Sequence, residues 1–287
     1  MSDPISNPLP LAFQIRFSQP IWRLVFEQID TAPGLLVAEL RSRDTQTLKL
    51  ATVSLPDGTI RSEVQPALPF HSSLVGVWNG QALYHRFDNN RLPAPTALGN
   101  VNLQTGRSQW EWSQHVLVGA SSEWVWARRA SLTDTGSTPG IALRLTDGEP
   151  AESAEKPAFG HNSRLLFPVS YTTTSTWWPV LDRFIKKVVH QQALDSIDYL
   201  EVGDKLIFSY YYRETNEQLR SSLLIIDRQQ TIWLHQHTGQ ELETTRLAPE
   251  STASSLFGDG AFCVWGNQII IQPASHSLTS YFLTSTP

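Results

Sequence analysis

Asn79-Gly80-Gln81-Ala82-Leu83-Tyr84, then a Pro-bearing loop, then Asn100-Val101-Asn102-Leu103-Gln104-Thr105-Gly106 running into Trp110-Glu111-Trp112, is the stretch whose reading decides the fold. Gly at Gly80 and Gly106 accepts positive φ without steric cost, so Asn79-Gly80 and Thr105-Gly106 mark tight hairpin joints between extended apolar runs. The pattern is a turn, a strand, a loop, a second strand, a tight turn and a third strand.

The same grammar recurs along the chain. Gly203-Asp204-Lys205-Leu206-Ile207-Phe208 is followed by Leu223-Leu224-Ile225-Ile226-Asp227 and then Ile232-Trp233-Leu234. Residues 35–40 and 48–55 end at Pro56-Asp57-Gly58-Thr59, residues 123–127 and 141–145 end at Asp147-Gly148, and Gly266-Asn267-Gln268-Ile269-Ile270-Ile271 opens a last copy that reaches Ser280-Tyr281-Phe282-Leu283. Strand centres fall near 38, 84, 125 and 208, and a strand near 167 divides the longest interval into two normal ones. The step from 208 to 270 is too long for one unit, so 236–260 reads as a long connection or a degenerate copy.

Units of roughly 40–45 residues built from antiparallel strands, each with aromatic positions, are the pattern of a β-propeller. The expected fold is therefore all-β: one irregular β-propeller domain over residues 1–287, of about six blades, with five or seven as neighbouring counts. Propellers remove a sheet edge by pairing an early strand with a late one, and Ile21–Phe26 with Ser280–Leu283 are the candidates for that closure. A β-sandwich or two small β domains are the competing architectures.

One segment has helical period. Trp177, Leu181, Phe184, Ile185 and Val188 line one side, with Asp182, Arg183, Lys186, Lys187 and Gln191 on the other. Ser175 or Thr176 is a candidate N-cap and Pro179 suits a first turn, so an inserted amphipathic helix is expected near 176–193, packed on the sheets. Residues 147–156, rich in Glu, Ala, Gly and Pro, read as a solvated linker into it.

Val101-Asn102-Leu103-Gln104-Thr105-Gly106 followed by Trp110-Glu111-Trp112 resembles the repeat of quinoprotein-type and WD40-like propellers, where a strand ends in an Asp/Asn-x-x-Thr-Gly turn and the next begins with Trp. Phe167-Pro168-Val169-Ser170-Tyr171, the helix after it, Ile197-Asp198-Tyr199-Leu200-Glu201 and 205–211 resemble an uncharacterised bacterial domain-of-unknown-function family, with Glu39-Leu40-Arg41 as a further match. That resemblance implies no activity and no catalytic residue.

Composition narrows the function. Forty per cent hydrophobic residues and ten Trp supply a large core, and 17% charged residues are too few for a disordered chain. A net charge of −5 without a basic run lacks the footprint of a phosphate-backbone binder, so nucleic acid is not an expected partner. Met1 to Pro8 has no basic, apolar export pattern and no run of 18 apolar residues occurs, so no membrane partner is expected. Cys263 is the single cysteine and sits in an apolar run, which reads as a buried hydrophobe in a cytoplasmic protein.

No nucleophile elbow, phosphate loop or His-Glu-x-x-His is present, and no cofactor or metal is expected. His235-Gln236-His237 has a spacing that metal sites use but lacks a third ligand nearby. Arg41, Arg86, Arg128 and Arg213 recur at the outgoing end of the second strand of their units, with Glu39, Asp88 and Glu214 beside them. Rotated copies would place these guanidiniums on one propeller face, gripping a small anionic ligand or a protein carboxylate. Glu39 and Arg41 share a strand face with Val37 and Arg43 and are equally suited to bridging blades. The expected role is a non-catalytic binding or scaffold protein presenting loops 87–99, 129–140 and 213–221; an enzyme with a site at the central channel is the alternative.

Overall fold

A computed structural model describes residues 9–28, 34–87, 95–130, 140–151, 164–214, 218–238 and 261–284, the side chains of 236–238 excepted. The chain divides into two compact units, residues 17–163 and residues 1–16 with 164–287. Each is built from antiparallel sheets.

After β1 (Leu11–Arg16), which is taken up by the last sheet, the unit 17–163 holds three four-stranded meanders in succession. The first comprises β2 (Ile21–Phe26), β3 (Leu35–Ser42), β4 (Thr47–Ser54) and β5 (Ile60–Val64). The second comprises β6 (Ser73–Trp78), β7 (Gln81–Arg86), β8 (Ala97–Asn102) and β9 (Ser108–Ser113), and the third β10 (His115–Ala120), β11 (Trp124–Arg129), β12 (Ile141–Arg144) and β13 (Pro150–Ala151). Consecutive sheets pack face to face. Val37, Leu48 and Leu50 of the first meet Leu74, Val77, Ala82 and Tyr84 of the second. Leu83, Leu98 and Trp110 on the other face of the second meet Val125, Ala127 and Leu143 of the third. A strand with both faces covered must be apolar on both, which is why Ala82-Leu83-Tyr84 shows no alternation.

In the other unit, β14 (Leu165–Leu166) and β15 (Val169–Thr172) lead into the helix α1 (Trp178–Val189), followed by β16 (Leu194–Val202), β17 (Lys205–Arg213), β18 (Leu219–Asp227) and β19 (Ile232–Thr238). The last strands are β20 (Phe262–Trp265), β21 (Gln268–Ala274) and β22 (Ser277–Phe282). The fourth sheet has the order β15-β16-β17-β18-β19 and the fifth β1-β22-β21-β20-β14. Ile207, Leu223 and Ile225 pack one face of the fourth sheet on Phe262, Val264 and Ile269 of the fifth. Its other face carries Phe208, Tyr210 and Tyr212 and is covered by Ile185 and Val189 of α1, with Phe184 stacked on Phe208 at 5.3 Å. Alternation along β17, with Ile207 on one face and Phe208, Tyr210 and Tyr212 on the other, splits this strand between two cores.

One hydrogen bond defines the repeat. With β16–β19 as the fourth unit and β20–β22 with β1 as the fifth, the residue after each unit's third strand donates its backbone N–H to the carbonyl just before its second strand: Leu55 to Gly34, Leu103 to Gly80, Leu145 to Glu123, Arg228 to Asp204 and Leu283 to Asn267, at 2.7 to 3.2 Å. Five copies of this tie are found among the described residues. In the last copy the fourth strand is β1, with Gln14 opposite Thr279 and Ile15 opposite Leu278.

Three expectations change. The stretch near 167 does not form a unit, because Leu165–Leu166 pairs with β20 and Val169–Thr172 pairs with β16; five sheets are found among the described residues, within the expected range of five to seven units. Closure of the last sheet uses Leu11–Arg16, whereas Ile21–Phe26 begins the first sheet. Helix α1 has no side-chain N-cap: Ser175 contributes its carbonyl to the N–H of Trp178, and the C-terminus is closed by His190 in the left-handed conformation, with Lys186 and Lys187 favourably placed in the last turn. Residues 152–163 of the expected linker, and 239–260, lie outside the described residues.

Candidate functional site

The four arginines do leave the corresponding strand of each sheet, β3, β7, β11 and β17, at the same end. Their side chains do not share an environment, because parity along a strand decides which face a residue takes. Arg41 has the parity of Val37 and Glu39 and faces the second sheet. Arg86 has the parity of Ala82 and Tyr84 and is turned toward the first. Arg128 lies on the face of the third sheet opposite Val125 and Ala127, away from the second. Arg213 belongs to the other unit, at the exposed end of β17.

Arg41 is a strut. Its Nε and Nη2 each reach Glu39 Oε1 at 2.6 Å, Nη2 also donates to the Ser72 carbonyl, and the guanidinium lies over Trp22 at 4.8 Å and Phe70 at 5.4 Å. Glu39 is 0% exposed, and its Oε2 accepts the N–H of Leu74 at 2.8 Å. Arg23 Nη1 adds a bond to the Leu74 carbonyl at 2.7 Å. The pair bridges two sheets, and every one of these bonds satisfies a group that the interface would otherwise bury unpaired.

Arg86 forms an ion pair with Glu111, and Glu111 Oε2 accepts the Tyr84 hydroxyl at 3.0 Å. Burial pushes the Tyr84 phenol up to about 12, with the Glu111 charge acting in the same direction. The pair is partly open to water. Glu111 was missed in the sequence although its position between Trp110 and Trp112 signals it: the indoles take the face against the third sheet, so Glu111 takes the other.

His85 alternates with Tyr84 and Arg86 and points the other way. Its Nε2 accepts the N–H of Leu117 across the second and third sheets at 3.0 Å. Burial, with Arg23 a second cause, pushes the imidazole down to about 4, so it is neutral at pH 7 and its lone pair is occupied.

Of the expected acidic companions, Glu214 pairs with Arg220 at 3.5 Å and Asp88 lies outside the described residues. So do 88–94, 131–139 and 215–217 of the three loops and the His237 side chain. Among the described residues no group of three His, Cys, Asp or Glu is placed to hold a metal ion, and no helix is long and apolar enough to cross a membrane. Val125 and Ala127 take the buried face of β11, leaving the Trp124 and Trp126 indoles half-buried on the other. Cys263 is fully buried, and burial pushes its thiol up.

No family model matches the chain and no curated protein matches it, so the resemblance to an uncharacterised bacterial family has no matching family behind it. Among solved structures, the crystal structure of BamB from Moraxella catarrhalis is similar at 10% identity over 97% of this chain and 99% of that one, with a TM-score of 0.36. Kuenenia stuttgartiensis hydrazine synthase is similar at 9% identity over 90% of this chain and 78% of that one, with a TM-score of 0.29. The repeat rests on this chain's own hydrogen bonds.

Proposed function

We propose that the five sheets are blades of an irregular β-propeller that works as a non-catalytic binding module, using the end where the second strands leave their sheets to hold a protein or a small anionic ligand. One observation carries the reading: Arg23, Glu39, Arg41 and His85 at this end of the unit 17–163 are spent on joining sheets. Glu39, Arg41 and Arg23 tie the first sheet to the second, and His85 ties the second to the third. A neutral imidazole that already accepts a backbone N–H is a poor general base, and a carboxylate locked between a guanidinium and an amide is a poor nucleophile. Such a rim is rigid, which favours binding by cutting the ordering cost. The Arg86–Glu111 pair is the reachable part of it, and a ligand carboxylate or phosphate would take Glu111's place on the planar guanidinium fork.

The test uses an R86A/R128A double variant as bait beside the native chain. A partner or anion retained by the native chain and lost by a variant with unchanged circular dichroism and melting temperature supports the reading. Equal retention by both, or turnover of a substrate by the purified chain, overturns it.

A further inference from the structure

The first sheet carries a second feature at the same end that the sheet-joining network does not use. Trp22 is the extra residue of a β-bulge in β2, set between Ile21 opposite Leu40 and Arg23 opposite Glu39. The equivalent bulge residues of the next two sheets, Val75 and Val118, are at least half-buried, whereas Trp22 is 44% exposed. A bulge re-aims a side chain, and here it lays an indole out against water. Arg41 stacks over that ring from within the strut, and Arg43, two residues further along the same face, lies over it at 5.8 Å.

Arg43 is exposed and differs from Arg41 in having no acidic partner among the described residues. Its backbone is held by the turn that follows: Gln46 Nε2 donates to the Arg43 carbonyl at 2.7 Å and the Thr45 N–H donates to Ser42 Oγ at 3.3 Å, with Gln46 at φ +51°. A guanidinium stacked on an indole keeps all its N–H edges directed outward, so the ring fixes the plane of the fork without consuming its donors. Phe70 lies on the far side of Arg41, with His71 edge-on to it at 5.6 Å, which continues the aromatic surface.

We propose that Trp22 and Arg43 form a docking site for an acidic, extended segment of a partner protein, in which a Glu or Asp carboxylate engages the Arg43 fork and the neighbouring apolar side chain lies on the Trp22 ring. Charge favours this occupant. An exposed guanidinium without an ion pair to any described residue suits an isolated carboxylate, and a net charge of −5 disfavours a polyanion such as RNA or an anionic bilayer. Exposed Trp beside Arg is also the composition of binding hot spots. This site does not depend on Arg86 or Arg128, so it stands or falls separately from the role proposed for them.

The probe is a fluorescein-labelled 12-residue peptide with a single central Glu flanked by Leu and Pro, titrated with the full chain by anisotropy, beside the same peptide with Gln for Glu. The Glu peptide is expected to bind, the Gln peptide at least about tenfold more weakly, and salt to weaken the first. R43Q should lose about tenfold or more, R43K should fall between because its ammonium has no planar fork, and the distant exposed R107Q should match the native chain. R86A/R128A should bind the peptide unchanged, and loss of peptide binding in it with none in R43Q would assign the peptide to the Arg86 end and overturn this site. Equal affinity of R43Q and native chain, no binding of the Glu peptide at millimolar concentration, or tighter binding of anionic vesicles or oligonucleotides than of the peptide would overturn the proposal.

Discussion

Replacing Glu39 by Gln isolates the strut between the first two sheets. Glu39 is 0% exposed and Arg41 8% exposed, so the substitution removes the counter-charge from a nearly dry site, and the single amide oxygen of Gln can accept from either the guanidinium or the Leu74 N–H while its NH2 is turned on the other. Removing one partner of a buried ion pair costs about 3–5 kcal/mol. The rings over Arg41 offset part of that, since a desolvated cation–π contact contributes up to about 2 kcal/mol, which sets the expectation at roughly 3 kcal/mol. R41M should cost a similar amount by stranding Glu39. The double variant E39L/R41M removes both charges and leaves only the Leu74 N–H and the Ser72 carbonyl short of a partner, at about 1 kcal/mol each, so it should sit within about 2 kcal/mol of the native chain. Urea unfolding at pH 7, followed by Trp fluorescence and far-ultraviolet circular dichroism, reads all four. A cost below about 1 kcal/mol for E39Q, or a double variant whose loss equals the sum of the singles, would refute the strut.

Other consequences are equally direct. His85, held at about 4 when folded against an ordinary 6.5, binds more protons unfolded than folded between those values; stability is therefore full above pH 6.5 and falls by up to about 3 kcal/mol as the pH drops toward 4, a slope that H85Q should flatten in urea melts across that range. Gly148 sits at φ +73° with Trp110 Cγ 2.6 Å from where a Cβ would lie, so G148A should cost about 2 kcal/mol or more in the same melts, and a loss of only about 1 kcal/mol, the backbone conformation alone, would show that the indole gives way. Cys263 should resist a thiol reagent such as DTNB in the native chain and react once unfolded; native labelling would show that its sheet opens readily.

The sequence made the hairpins legible because their signal is local. Leu55, Leu103 and Leu145 each follow a third strand and precede a turn that Gly58, Gly106 or Gly148 closes at positive φ, and the same short string produces the same hydrogen bonds each time. The unit count was not legible, since the stretch 152–193 between β13 and β16 is about as long as a unit and spacing cannot tell an insertion from a copy. Nor was closure: Leu11–Arg16 and Ile21–Phe26 are both six-residue extended runs, and only the partner decides between them. The arginines were correctly placed at one end of their strands. Which face each takes depends on single-residue parity, so Arg41 and Arg86, read as equivalent, leave sheets that face one another. Val37, Glu39, Arg41 and Arg43 were rightly read on one face, yet the bulge that brings Trp22 over the last two has no signature in the run 21–26.

The account turns on Leu11–Arg16, not Ile21–Phe26, serving as the fourth strand of the last sheet, because that assignment makes the first sheet a complete unit with Trp22 and Arg41 at its rim. With Cys263 replaced by Ser, the pair Q14C/T279C should form a disulfide on mild oxidation of the folded chain, since residues opposed in antiparallel strands lie within bridging distance, and R23C/S280C should not. Cross-linking of 23 to 280 with none between 14 and 279 would contradict the assignment and the rim built on it.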